Sequence, residues 1–274
     1  MIEHFYVGAV PDGDITNLPS GITDLMNFKQ YGVSSISGLT RPKAEVNRSA
    51  LAGANASRIS GAQIAERNIV LNVDPRAGEA SRQELYDVLP FDTMLRFYVI
   101  TERRKVFIDG YIETIEGDDV AGSIFGVQVS ILCPFPWFQS IRLHKANLTV
   151  GDNIICYDGD VPAGFTLDVP QQITPPLIGS VGDLSVSVGG KTFAYSGRIA
   201  IPHICTIPGK KQFYGIRKDA GNTAAPAFGA MVSGCQWPTI SKGDKIVTIS
   251  CAEADTEWFE QQNVFAYRYT YSGV

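Results

Sequence analysis

The sequence is short of the residues that usually carry chemistry. It has three histidines, at positions 4, 144 and 203, and no His-x-x-x-His or Cys-x-x-Cys spacing, so no zinc pattern can be assembled from it. Long apolar runs are also missing. The most apolar stretch, residues 127–138, is interrupted by Gln128, Ser130, Pro134 and Pro136, far short of the roughly 18 apolar residues in a row that suggest a membrane helix. No basic segment followed by an apolar run opens the chain, and no secretory signal is expected. The five cysteines, at 133, 156, 205, 235 and 251, are an odd and scattered set. That predicts free thiols in a reducing compartment. Positive charge is scarce as well. Residues 1–140 carry 12 Lys and Arg against 17 Asp and Glu, and residues 141–274 carry 11 against 11. The net charge of −5 therefore lies in the first half, and neither half has the basic footprint of a nucleic-acid or anionic-lipid binder.

What is present is a β pattern cut up by Gly, Pro, Asn and Asp. At 274 residues, with 45% hydrophobic and 19% charged residues, the chain is long enough for one large domain or two modest ones, and too apolar for disorder. Residues 62–73 end in the alternation Ile69, Leu71, Val73; residues 93–101 are β-branched and aromatic; residues 105–116 and 122–133 alternate over long runs. These predict an antiparallel meander with turns at 102–104 and 117–119. Ser81-Arg-Gln-Glu84 has the spacing of a capping box, followed by Leu85, Val88 and Leu89 and then Pro90, which predicts a single helix over about 82–89.

Two prolines within Pro134-Phe-Pro-Trp-Phe138 forbid a continuing central strand and place a domain boundary near 135–142. Beyond it the alternation predicts strands at 153–157, 164–169, 184–188, 192–195, 198–205, 212–217, 245–251 and 264–271, with long loops at 170–180 and 219–234. Gly-Asp pairs at 151, 182 and 243 read as turn chemistry.

Candidate reactive groups fall away one by one. His203 and Cys205 share a strand parity, yet Cys205 sits in the apolar segment IAIPHICTI and reads as a packed thiol. Gly189-Gly-Lys-Thr192 lacks the leading glycine and the helix of a phosphate loop and reads as a hairpin turn. Asp118-Asp119 and Asp158-Gly-Asp160 sit beside glycines, where solvated turn carboxylates are expected. No catalytic, cofactor or metal set emerges, and no enzyme is expected. Arg103-Arg104-Lys105, at a hairpin tip, is the densest basic cluster of the acidic half and is the one candidate partner contact.

An ordered series of segments resembles the distal tail protein family of siphovirus-like phages. It comprises Glu66-Arg-Asn-Ile-Val-Leu71, the helix near 81–89, LRFYVITERRKVFIDGYIETIE and the Cys133-Pro-Phe-Pro-Trp-Phe138 exit. It continues with Tyr157-Asp-Gly-Asp-Val-Pro-Ala-Gly164, Trp237-Pro-Thr-Ile-Ser-Lys-Gly-Asp-Lys-Ile246 and the ending FAYRYTYSGV. The late turn has Lys245 where the family favours Asn, and residues 1–59 show only a vague strand-like start and a small-residue stretch. The resemblance implies a mainly β fold: an N-terminal β-sandwich with one short helix over 1–138, forming a ring, and a galectin-like β-sandwich over 139–274. It further implies a homo-hexamer at the virion tail tip, assembled in the host cytoplasm without a cofactor. Its partners would be the tail tube protein, the hub protein and receptor-binding proteins, with no membrane and with DNA only in transit through a central channel. Trp237 and Trp258 keep a second reading open, a carbohydrate-binding β-sandwich.

Overall fold

The computed structural model describes residues 1–13, 15–50, 57–76, 78–120, 123–169, 180–208, 210–217, 225–243 and 246–274. It is mainly β, and it divides into two compact units: Met1–Arg142 with Tyr271–Val274, and Leu143–Thr270.

The first unit contains, in chain order, β1 (Ile2–Ala9), β2 (Thr23–Asp24), β3 (Tyr31–Ser37), β4 (Ala44–Ala50), β5 (Ser57–Ile64) and β6 (Arg67–Pro75). The helix α1 (Glu79–Val88) follows, then β7 (Leu95–Thr101), β8 (Lys105–Val120), β9 (Ser123–Cys133) and β10 (Phe138–Ser140). Its main sheet runs β2-β1-β7-β8-β9-β6-β3, with β10 added against β8. The first half of β8 pairs with β7 up to Gly110, and from Tyr111 onward it pairs with β9. Gly110 stands where the strand changes partners. A Cβ there would come within 2.9 Å of Cys133 Sγ, Ile131 Cγ2 and the Leu132 oxygen, so only glycine fits. Alternation does the packing: Val127, Val129 and Ile131 are buried and face Ile69, Leu71 and Val73 across the ladder.

Two expectations are corrected here. The helix begins at Glu79, with Gly78 at its N-cap in the left-handed region (φ 69°) and no capping side chain. Ser81 is buried inside the first turn, and Glu84 accepts hydrogen bonds from Gln30 Nε2 at 3.0 and 3.2 Å. The capping box does not form because glycine opens the helix two residues before it can act. No turn falls at 117–119: β8 continues through these residues to Val120, opposite Ser123, with a register shift after Gly117. The turn at 102–104 is as expected, with Thr101 N donating to the Arg104 oxygen at 2.9 Å.

The second unit contains β11 (His144–Ala146), β12 (Gly151–Ile154), β13 (Phe165–Asp168), β14 (Ser180–Gly182), β15 (Ser185–Val188), β16 (Lys191–Ala194), β17 (Arg198–Cys205), β18 (Gln212–Arg217), β19 (Ala225–Pro226) and β20 (Ile246–Ser250). The helix α2 (Thr256–Gln262) and β21 (Val264–Tyr267) complete it. One sheet runs β11-β21-β13-β17-β18-β19 with β14 beside β17, and the other runs β12-β20-β15-β16. Side chains of both sheets share one buried cluster; Phe193 of β16 meets Phe213 of β18 edge-on, ring centroids 5.2 Å apart. This two-layer arrangement is how sheets with one apolar face hide it. A second helix was not expected: α2 buries only Phe259 among its seven residues, too little for a period to show. The loop expected at 170–180 lies outside the described residues except for Ser180, while within the loop expected at 219–234 the described residues 225–234 contain β19 and a 3-10 turn at Phe228–Ala230.

Candidate functional site

The reactive candidates end up in structural roles. Burial raises the Cys205 thiol above its ordinary pKa, which keeps it protonated and unreactive. His203 does not pair with it. Its Nδ1 hydrogen-bonds Asp168 Oδ1 across the β13–β17 ladder, where the two residues are directly opposite. That bond raises the imidazole pKa against the opposing pull of desolvation. Gly189 and Gly190, at φ 57° and 76°, form the two-residue turn of the β15–β16 hairpin, as the primed turns of hairpins require. Asp158 and Asp160 are exposed; Asp118 and Asp119 belong to β8, and their side chains lie outside the described residues. Among the described residues, no three His, Cys, Asp or Glu side chains come together to hold a metal ion.

Trp237 and Trp258 are half-buried and packed against the core of the second unit. Trp237 lies 5.0 Å from the Phe193 ring, and Trp258 Nε1 is sealed from solvent with no hydrogen-bond partner. Neither is exposed as a sugar platform would be.

A different surface stands out. Among the described residues, β4 and β5 pair only with each other. Every described side chain in this ribbon is exposed, with Val46, Ile59 and Ile64 at 36%, 65% and 45%. Cross-strand partners share a face, so Ala44 with Ile64 and Val46 with Ala62 lie on one side. Glu45 with Gln63 and Asn47 with Gly61 lie on the other. The register shift after Asn47 aligns Arg48 with Ile59, and the extra residue returns Ile59 to the apolar side. The side that carries Val46, Ile59 and Ile64, with position 48 in the same register, is therefore mainly apolar, and its described side chains are exposed.

The root of the ribbon is built with care. The ribbon interrupts the β3–β6 pairing, entering after Ser37 and leaving before Arg67. Gly38 has φ 82°, and a Cβ there would stand 2.1 Å from the Asn68 oxygen, so a glycine is needed where the chain departs. The Arg67 side chain is only 2% exposed. Its Nε donates to the Pro136 oxygen and its Nη2 to the Ser272 oxygen, both at 2.7 Å, and its Nη1 donates to the Gly38 and Thr40 oxygens. The guanidinium also lies 4.6 Å over the Phe138 ring. Burial pushes the neighbouring Cys133 thiol up to about 12, so it stays neutral. The buried cation is therefore met by carbonyl dipoles and an aromatic face.

Of the basic cluster, Arg103 and Lys105 are exposed, while Arg104 is half-buried. Arg104 Nη1 donates to the Gly273 oxygen at 2.7 Å, and its guanidinium lies 4.2 Å over Tyr271. The three neighbours therefore point to different tasks. Sequence reasoning overlooked Arg67, although a clue was available: it shares strand parity with Ile69, Leu71 and Val73, an arginine in line with core residues. The ribbon gave a weaker clue, because its bulge breaks the alternation.

No protein-family model matches the sequence, and no curated protein matches it either. Solved structures do. The crystal structure of the Dit protein of phage SPP1, described as a paradigm of the hub adsorption apparatus in phages infecting Gram-positive bacteria, aligns with a TM-score of 0.65. Identity is 12%, over 97% of this chain and 98% of that one. A chain of the phage P2 baseplate in its activated conformation with calcium aligns with a TM-score of 0.50 and 13% identity over 100% of both chains. The same baseplate with strontium gives 0.50 and 12% over 99% of each. Across nearly its whole length, the fold of this chain is similar to those of the SPP1 Dit protein and of a phage P2 baseplate chain.

Proposed function

We propose that this chain is a structural phage tail-tip protein that closes into a ring of six copies, joining the tail tube to the hub and to the receptor-binding apparatus. In this reading residues 1–138 form the ring and line a channel through which DNA passes, and the galectin-like second domain carries adhesion partners outward. Assembly takes place in the host cytoplasm.

The observation that carries the reading is the ribbon. A lone two-stranded hairpin is marginal in water, and an uncovered apolar face calls for a surface to cover it. Another copy of the same chain is the occupant we favour. The first unit exposes Phe28 and Phe91 at 62% and 58%, large apolar side chains suited to receive a neighbour's Ile59 and Ile64. A ribbon that enters the next copy makes a heterologous contact, which closes into a ring when the rotation permits. The likeness to the SPP1 Dit protein, over nearly all of both chains, agrees with such a role. The carbohydrate-binding alternative loses ground because both tryptophans are packed against the core.

Sedimentation of the purified chain, alone and with tube and hub proteins, tests the proposal. A particle of six times 29.7 kDa, about 178 kDa, is expected, with six-fold rings in negative stain. A chain that stays monomeric at every concentration and with every partner would refute it.

A further inference from the structure

The ribbon can act only if its root holds it in one direction, and the root contains residues from the far end of the sequence. Within the first unit, Ala65 N donates to the Lys43 oxygen at 3.2 Å at the base of the ribbon. Below it, Val274 N donates to the Leu39 oxygen at 3.1 Å. Gly273 lies so close that a Cβ would stand 3.1 Å from the Leu39 oxygen and 3.2 Å from the Thr40 carbonyl carbon. Ser272 supplies an acceptor to Arg67, whose other contacts clamp Gly38 and Thr40. Arg104 holds the same segment from its other side through Gly273 and Tyr271.

We propose that residues 271–274 are a latch: seated against residues 38–40, they fix the ribbon's root and thereby license assembly. This rests on the reading of the ribbon as the subunit contact. Removing the segment takes an acceptor from Arg67, the donor from the Leu39 oxygen, and both the carbonyl and the ring from Arg104. The entry of the ribbon is then held by one strand pair and a buried cation short of one carbonyl, and its aim is no longer unique. Chain order adds a consequence. Residues 271–274 follow Leu143–Thr270, so the root is completed only after the whole second unit has been made. A nascent first unit carries its apolar ribbon without the latch, which delays subunit contacts until the receptor-facing module exists. In this account Arg104 is a positioning residue, acting on the ribbon through the tail.

The test compares the full chain with a deletion of residues 271–274, with Gly273→Val and with Arg104→Met, using hydrogen exchange and sedimentation. Amides of residues 38–43 and 65–67 should exchange about tenfold faster in all three variants while β15 and β20 stay unchanged. The concentration for half-assembly should rise about tenfold or more. Unchanged exchange at the root together with unchanged assembly overturns the latch. If the deletion unfolds the first unit, the two point variants decide, since they leave Arg67 and the core intact. Ile59→Asp separates the two proposals. If it abolishes assembly while the latch variants change nothing, the latch alone is wrong. If it assembles normally while the latch variants loosen the root and assembly alike, the ribbon reading is wrong and the latch acts through another surface.

Discussion

The first unit holds two long antiparallel hairpins, β4–β5 and β8–β9, and both carry register shifts. Their fates are opposite. In β8–β9, Ile112 pairs with Ile131 and both are buried, and further strands flank the hairpin on either side. In β4–β5 a mainly apolar face has no flanking strand among the described residues, and its described side chains are exposed. The difference teaches that amphipathic alternation makes a strand but does not make a core. What decides is whether the fold brings a second apolar surface to it. β8–β9 obtains that surface within its own chain; β4–β5 has to find it elsewhere.

Breaking the comparison begins with the buried hairpin. Ile131→Ala should cost about 2–5 kcal/mol of first-unit stability through lost burial and a cavity, measured by urea unfolding; a loss well below that range would mean the hairpin is less tightly packed than its burial implies. The β7–β8 ladder carries a bidentate pair, Arg96 Nε to Asp109 Oδ1 at 2.6 Å and Nη2 to Oδ2 at 2.8 Å, with Arg96 nearly buried. Asp109→Ala strands that cation and should cost about 3 kcal/mol, on the same urea scale. Ile59→Asp in the ribbon should move monomer stability by no more than about 0.5 kcal/mol while sedimentation shows loss of the assembled species. That contrast of stability kept and assembly lost is the sharpest form of the comparison.

A pH-dependent effect lies in the second unit. Because the Asp168 bond raises the pKa of His203, its stabilisation is fully present below the unfolded imidazole value of about 6.5 and is lost as pH rises through the higher folded value. Both side chains are more than a third exposed, which limits the change to under about 1 kcal/mol. Thermal melts across pH 6–9 should show a shallow fall that His203→Gln removes; an equal slope in that variant would assign it to other groups.

Much of the strand pattern was legible, for reasons the residues show. β17 and β18 have the expected limits because apolar, β-branched and aromatic residues run between clear breakers, and β15–β16 was marked by Gly189-Gly190. β1 and β3 were not resolved, since their burial is only partial and irregular. The helix start was misplaced because Ser81 and Glu84 meet the spacing of a capping box, while Ser81 is buried within the helix and Glu84 accepts from Gln30. The candidate site was hardest to see. The ribbon's face emerges only after a one-residue bulge, and Arg104 looks like a solvated cation until the chain's far end is folded against it. Such pairings join residues 169 positions apart, and no local period encodes them.

Cys156 gives the molecule a further use. Of the five free cysteines it alone is exposed; Cys133 and Cys205 are buried, and Cys235 and Cys251 are partly covered. Its backbone is anchored, because the Tyr267 hydroxyl donates to the Cys156 oxygen at 2.7 Å. A thiol mounted on fixed backbone, and outside the unit that carries the ribbon, is a ready attachment point for a maleimide dye or a gold cluster. Counting the labels per particle would then test the proposed copy number of six, from a site away from the ribbon.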